Sequence, residues 1–225
     1  MHRPGYEARF RTCQPGHHTR DLFRTPVALD GHETVHQVLV RPIGRVRVGV
    51  YQPRLNHVAR GYDAVSVADL TDSLDIHPPS FYAAFGNKAG LYARVLDRYA
   101  GTDAIPLADL LRPDRPVAES LATVLEDAAH RYAADPDATG CLVLEGTRCN
   151  DREAREAARA YHVAAEDTIR HYIAARHPEE AERLTDFVST IMVGLSAKAR
   201  NGHGLDQLLA TARLAGLAIA QSIPA

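Results

Sequence analysis

Between Gly61 and Tyr99 the sequence carries three amphipathic helical segments separated by very tight punctuation, and few folds accept helices so short and so close together. Ser66-Val67-Ala68-Asp69 has a capping-box pattern ahead of Val67, Leu70 and Leu74, which share one helical face, and this segment should end near Asp75. After Asp75-Ile76-His77-Pro78, Pro79 stands where a first helical residue belongs. Its missing N–H costs nothing there and its φ is already helical, which predicts a second helix from Pro79 to Phe85. Gly86 suits a left-handed closing position, and Asn87 can cap a third helix whose apolar stripe is Leu91, Tyr92, Val95, Leu96 and Tyr99.

Proline and glycine between Gly101 and Pro116 mark a joint, with at most a short helix around Leu107 to Leu111. Beyond it the helical period returns. Val117, Leu121, Val124, Leu125, Ala128 and Tyr132 form one stripe that stops at Asp135-Pro136. Leu142-Val143-Leu144 fits a buried strand or a buried helical turn, and helix is expected because its surroundings are helical. Asp151 can cap a long helix ending before Pro178; two more helices are expected from Glu179 to Ala199 and from Leu205 to Ala220. Upstream, residues 1–57 are rich in His, Arg, Pro and Gly, with one alternating stretch, Arg45 to Tyr51, that fits a short strand or extended arm.

Composition narrows the function classes. Hydrophobic residues make up 45% of the 225 and charged residues 24%, enough to bury a core. No apolar stretch reaches the roughly 18 residues of a membrane span, and Met1 to Glu7 leads into no apolar signal segment, so a cytoplasmic protein is expected. Cys13, Cys141 and Cys149 contain no CxxC pair. The net charge of −2 conceals an asymmetry: residues 1–60 carry +6 and residues 61–225 carry −8.

Two short helices joined by a tight turn, the second led by Pro and crossed by aromatics, make a helix-turn-helix layout; an ordinary helical hairpin is the alternative. Phe81 and Phe85, four residues apart, can face the core together, which turns His77, Ser80 and Tyr82 outward. Ala83 and Ala84 keep that helix slim enough for a major groove, and Lys88 can meet a phosphate.

The run Gly61-Tyr62-Asp63-Ala64-Val65-Ser66-Val67-Ala68-Asp69-Leu70, followed by Leu74 to Tyr92, resembles the DNA-binding domain of tetracycline-repressor (TetR) family regulators. The resemblance implies an all-α homodimer. Its N-terminal helix-turn-helix domain would be followed by a helical-bundle domain that dimerises and binds a small organic effector. It also implies that Ser66 and Lys88 touch phosphate, that His77, Pro78 and Ser80 lie at or near base edges, and that Tyr82 contacts a phosphate or a base. Ser66 as a plain cap, Tyr82 as a partly buried aromatic and Lys88 as a solvated charge are the competing readings. The expected division is a basic arm at 1–56, a DNA-binding domain at 57–101 and a ligand-binding and dimerisation domain at 102–225.

Two positions depart from the family pattern. Asp75 stands at a turn position that usually holds Gly, a modest strain. The helix that normally covers the motif is replaced by Val50 to Arg60, where Pro53 can start only a short helix. A divergent arm competes here with a start-site or reading-frame artefact upstream of about residue 57.

For the effector pocket the candidates are Tyr132, Leu142, Glu145, Cys149, Tyr161, His162 and Met192, the polar or aromatic members of helices that should enclose the second domain. Small residues at Gly194, Ser196, Ala197, Ala212, Ala215 and Gly216 suit close packing of the last two helices, either within one chain or across a dimer. The expected function is therefore a repressor released from a palindromic double-stranded DNA operator by a small-molecule effector, with no cofactor, metal or catalytic residues. Two alternatives are a metal- or redox-responsive sensor using Cys149 with His162 and His171, and a ligand-binding dimer with impaired DNA binding. A thiol enzyme built on Cys141 or Cys149 with His130 or His162 lacks any supporting motif.

Overall fold

The computed structural model describes residues 60–223, and every regular element among them is helical. Three helices form the N-terminal module: α1 (Val67–Leu74), α2 (Pro78–Phe85) and α3 (Lys88–Thr102). They are followed by α4 (Leu107–Leu110), α5 (Val117–Ala133), α6 (Leu142–Gly146), α7 (Arg152–Ala174), a short 3-10 turn at Pro178–Glu180, α8 (Ala181–Arg200) and α9 (Leu205–Ser222). Arg45 to Tyr51, the segment led by Pro53, and Cys13 lie outside the described residues.

The helix ends follow local chemistry. At α1, the Ser66 hydroxyl accepts from the Asp69 amide at 3.1 Å while the Asp69 carboxylate accepts from the Ser66 amide at 2.8 Å, a complete capping box. Asp75 closes α1 in the left-handed region, at φ 52° and ψ 48°. The second helix begins one residue earlier than expected, at Pro78, because both prolines fit the first turn and His77 takes the extended cap position. Asn87 and Asp151 cap α3 and α7, accepting from the amides of Gly90 and Ala154.

Core burial follows the expected stripes. Leu121, Val124, Leu125 and Ala128 on α5 are fully buried, each large side chain contributing about 1.5–3 kcal/mol relative to exposure. Helix α5 packs along α9 and also touches α8, while α7 lies against α3, α6 and α8. Gly216 on α9 lets the two backbones approach: a Cβ there would come within 2.9 Å of the Ala122 methyl on α5. Thus Ser196, Ala212, Ala215 and Gly216 are buried within this chain, and of the small residues proposed for packing only Gly194 is exposed. The segment around Leu142 is helical, and Gly140 before it adopts φ 89° pressed against Ser196 and Arg200.

Candidate functional site

Helix α2 sorts its side chains by period. Phe81 is fully buried and Phe85 nearly so, with ring centroids 5.3 Å apart, whereas Tyr82 is 51% exposed and meets the Phe81 ring edge-on. His77, Pro78, Pro79 and Ala83 are exposed and Ser80 is half-exposed, so α2 offers an outer face with no carboxylate. Such a face can enter a groove lined by phosphates without charge repulsion. Ser66 is exposed, but its hydroxyl is engaged by Asp69.

Lys88, expected from sequence to touch phosphate or to be a solvated charge, is half-buried and turned toward the protein's own backbone. Its Nζ donates to the carbonyl oxygens of Tyr62 at 3.0 Å and Val65 at 2.9 Å and lies 4.0 Å from the Tyr62 ring centroid. The Tyr62 carbonyl also accepts from the Val65 amide at 3.3 Å, and the half-buried ammonium adds a donor to it and satisfies the Val65 carbonyl.

A polar seam joins this module to the start of α7. The Tyr62 hydroxyl donates to Asp151 at 3.2 Å, the Asn150 amide and side chain donate to Asp63 at 2.9 and 3.0 Å, and Asn87 donates to Glu153 at 3.1 Å. Beneath it, buried Tyr92 donates to the Leu142 carbonyl at 3.1 Å. Burial, then the Asp151 charge, pushes the Tyr62 hydroxyl well above its ordinary pKa. The seam residues Tyr62, Asp63, Asn87, Asn150 and Glu153 were not foreseen. Only the capping pattern at Asp151 hinted at one end of it.

A cavity of about 190 Å³ opens between α3, α5, α6, α7 and α8. Of the expected pocket residues, Tyr132, Tyr161, His162 and Met192 line it. The other three lie elsewhere. Leu142 is core packing and its carbonyl takes the Tyr92 hydroxyl; Glu145 pairs with Arg200 at 3.3 Å; and Cys149 is buried in the turn before α7, its thiol 3.4 Å from the Asp151 carbonyl. Burial raises the Cys149 pKa, which disfavours a thiolate. Tyr99, Cys141 and Ala165 line the cavity and were missed; Ala165 lies four residues from Tyr161 and was readable from helical spacing.

The polar groups at the cavity are already engaged. Tyr161 donates to Asp97, a bond that, with burial, pushes its pKa up to about 12, and the Tyr99 hydroxyl lies 3.5 Å from the Cys141 sulfur. His162 Nε2 lies 3.4 Å from the Ser189 hydroxyl and 3.5 Å from Glu166. The metal-sensor set does not assemble. His162 and His171 are nine residues apart on α7, roughly 14 Å along its axis, and Cys149 precedes that helix. Among the described residues no three His, Cys, Asp or Glu are placed to hold a metal, and no helix is long and apolar enough to cross a membrane.

Leu214 and Leu217 of α9 are 69% and 63% exposed, and on α8, which packs against α9, Gly194 is exposed and Ile191 half-buried. Large apolar side chains this open, three residues apart on one helix, are characteristic of an interaction face.

Residues 57–95 match the family model described as bacterial regulatory proteins, tetR family. Over 160 residues the chain is 60% identical to the HTH-type transcriptional repressor BdcR of Escherichia coli K12, covering 71% of this chain and 81% of that protein. It is also 28% identical to the E. coli K12 repressor ComR over 66% of this chain and 76% of that one. Among solved structures, a cysteine mutant of the TetR family regulator CifR, complexed with 26-bp double-strand operator DNA, is similar at TM-score 0.68 and 29% identity. That match covers 75% of this chain and 94% of the CifR chain. With a repressor this similar over most of its length, and with the helix-turn-helix in place, the chain belongs to the TetR family of bacterial transcriptional regulators.

Proposed function

We propose that the protein is a cytoplasmic, non-enzymatic, homodimeric repressor that binds a near-palindromic DNA operator through α1 and α2 and leaves it when a small molecule fills the cavity. The observation that carries this reading is the outer face of α2, free of carboxylates and slim, with Tyr82 projecting beside His77, Pro78 and Ser80. The similarity to BdcR and to operator-bound CifR supports it. Residues 57–101 serve as the DNA-binding domain and 102–225 as the effector and dimer domain, with the exposed faces of α8 and α9 meeting a second copy. A symmetric pair would present two α2 helices about one DNA turn apart.

Attraction to phosphate needs cations, and residues 61–100 carry a net −2. The +6 segment at 1–60 supplies it. Fluorescence anisotropy against the protein's own upstream intergenic DNA and a scrambled duplex, at several salt concentrations, tests both points. Two protomers per specific site and a shallower salt slope after deletion of residues 1–50 are expected. Equal affinity for the two duplexes overturns the operator reading.

A further inference from the structure

The cavity's chemistry constrains what it can hold. Among the described residues no Lys, Arg, Asp or Glu lines it, and the lining imidazole, His162, already faces Glu166 at 3.5 Å. Three charges that adjoin it in sequence are committed elsewhere: Asp97 takes the Tyr161 hydroxyl, Arg131 binds Asp127 and the Asp103 carbonyl, and Glu145 pairs with Arg200. The polar atoms of the lining are paired in the same way. The Cys141 sulfur receives the Tyr99 hydroxyl and is also a hydrogen-bond partner of the fully buried Tyr132, the Cys141 amide donates to Ser196 Oγ at 2.9 Å, and His162 Nε2 is held by Ser189 and Glu166. What remains to meet a guest is aromatic faces, the Met192 thioether and aliphatic side chains such as Ile105, Leu107, Val143 and Leu144.

A charged guest would leave its hydration shell without finding an opposite charge, a cost that the lining does not offset. A neutral apolar guest loses little by entering. Size sets the second limit: a dry apolar cavity of about 150 Å³ holds benzene, so 190 Å³ accommodates one ring with a few further heavy atoms.

We infer that the cavity takes an uncharged, largely apolar molecule of about the size of one substituted aromatic ring, and that it rejects anions and cations of the same size. This rests on the reading of the cavity as the effector site. It deepens that reading by naming the ligand class.

The test uses the full-length protein, isothermal titration calorimetry and four probes of similar size: indole and benzyl alcohol as neutrals, benzoate as anion and benzylammonium as cation. The neutrals should bind at least tenfold more tightly than either ion. Ala165→Phe, which fills the cavity, should weaken indole binding at least tenfold with the circular dichroism spectrum unchanged. Met192→Ala, which enlarges it, should shift preference toward the bicyclic 1-naphthol, and it decides the question should Ala165→Phe fail to fold. An ion binding as tightly as its neutral counterpart, no neutral probe binding at its solubility limit, or size preference untouched by Met192→Ala would overturn the inference. Operator anisotropy in the presence of each probe separates the two claims. Indole bound in the cavity without operator release refutes effector-controlled repression and leaves the ligand class standing, whereas release by benzoate alone refutes the ligand class and leaves effector control standing.

Discussion

The Lys88 ammonium lies 4.0 Å from the centre of the Tyr62 ring and donates to the Tyr62 and Val65 carbonyls, so the cation that opens α3 fastens the segment leading into α1. Lys88→Met keeps the aliphatic stem and strands the Val65 carbonyl, the Tyr62 carbonyl keeping the Val65 amide, which should cost about 1–3 kcal/mol in urea unfolding. The salt slope of operator binding should hardly change, whereas loss of a true phosphate contact reduces it by about 1. A reduced slope with unaltered stability would restore Lys88 to the DNA interface.

Tyr82 presents the opposite case. Half exposed, with its ring meeting Phe81 at a right angle, it adds little to the core, so Tyr82→Ala should leave the unfolding midpoint nearly unchanged. Operator affinity should fall by about 1–3 kcal/mol in anisotropy titrations. Tyr82→Phe distinguishes hydroxyl from ring: retained affinity assigns the contact to stacking.

Acid sensitivity should trace partly to Asp151. The hydrogen bond from the Ala154 amide holds its carboxyl below the ordinary aspartate value of 3.8, with the Tyr62 hydroxyl adding to the effect. Because the folded pKa is the lower one, the stabilisation is present above the unfolded value and is lost as pH falls through the folded value. Thermal unfolding should therefore decline below about pH 4, and Asp151→Asn, which still caps α7, should show a shallower decline. Asp69 and Asp114, also held low, preserve a residual slope. An identical pH profile in the variant would contradict the assignment.

Gly146 marks where α6 meets its neighbours most closely, since an added Cβ would collide with the Tyr92 hydroxyl and the Ala158 methyl. Gly146→Ala should destabilise by about 1–3 kcal/mol through overpacking. Gly101→Ala, with open space around its Cβ, should gain about 0.5–1 kcal/mol from helix propensity alone. Chemical denaturation of the two variants side by side checks both signs.

Periodicity made α2 legible: the four-residue spacing of Phe81 and Phe85 is enough to turn Tyr82 outward. The capping box at Ser66 and the helix stop at Asp135-Pro136 were equally local. What failed was tertiary. Lys88 bonds carbonyls 23 and 26 residues upstream, a pairing no local pattern announces. In the five-residue helix α6, too short for a period, Val143 and Leu144 reach the cavity while Leu142 and Glu145 do not. Gly216 looked available for a second chain, yet α5 occupies its face.

The seam between the helix-turn-helix and α7 has a consequence for exchanging operator preferences among relatives. Docking runs through Tyr62, Asp63 and Asn87 toward Asn150, Asp151 and Glu153, while the outward face of α2 is made by His77, Pro78, Ser80 and Tyr82. A transplant confined to residues 75–86 can carry a new recognition surface and leave every one of those bonds intact. A transplant of the whole module inherits foreign docking residues and must bring along its own versions of positions 150, 151 and 153, so the natural cut for a hybrid regulator lies inside the module and not at its border.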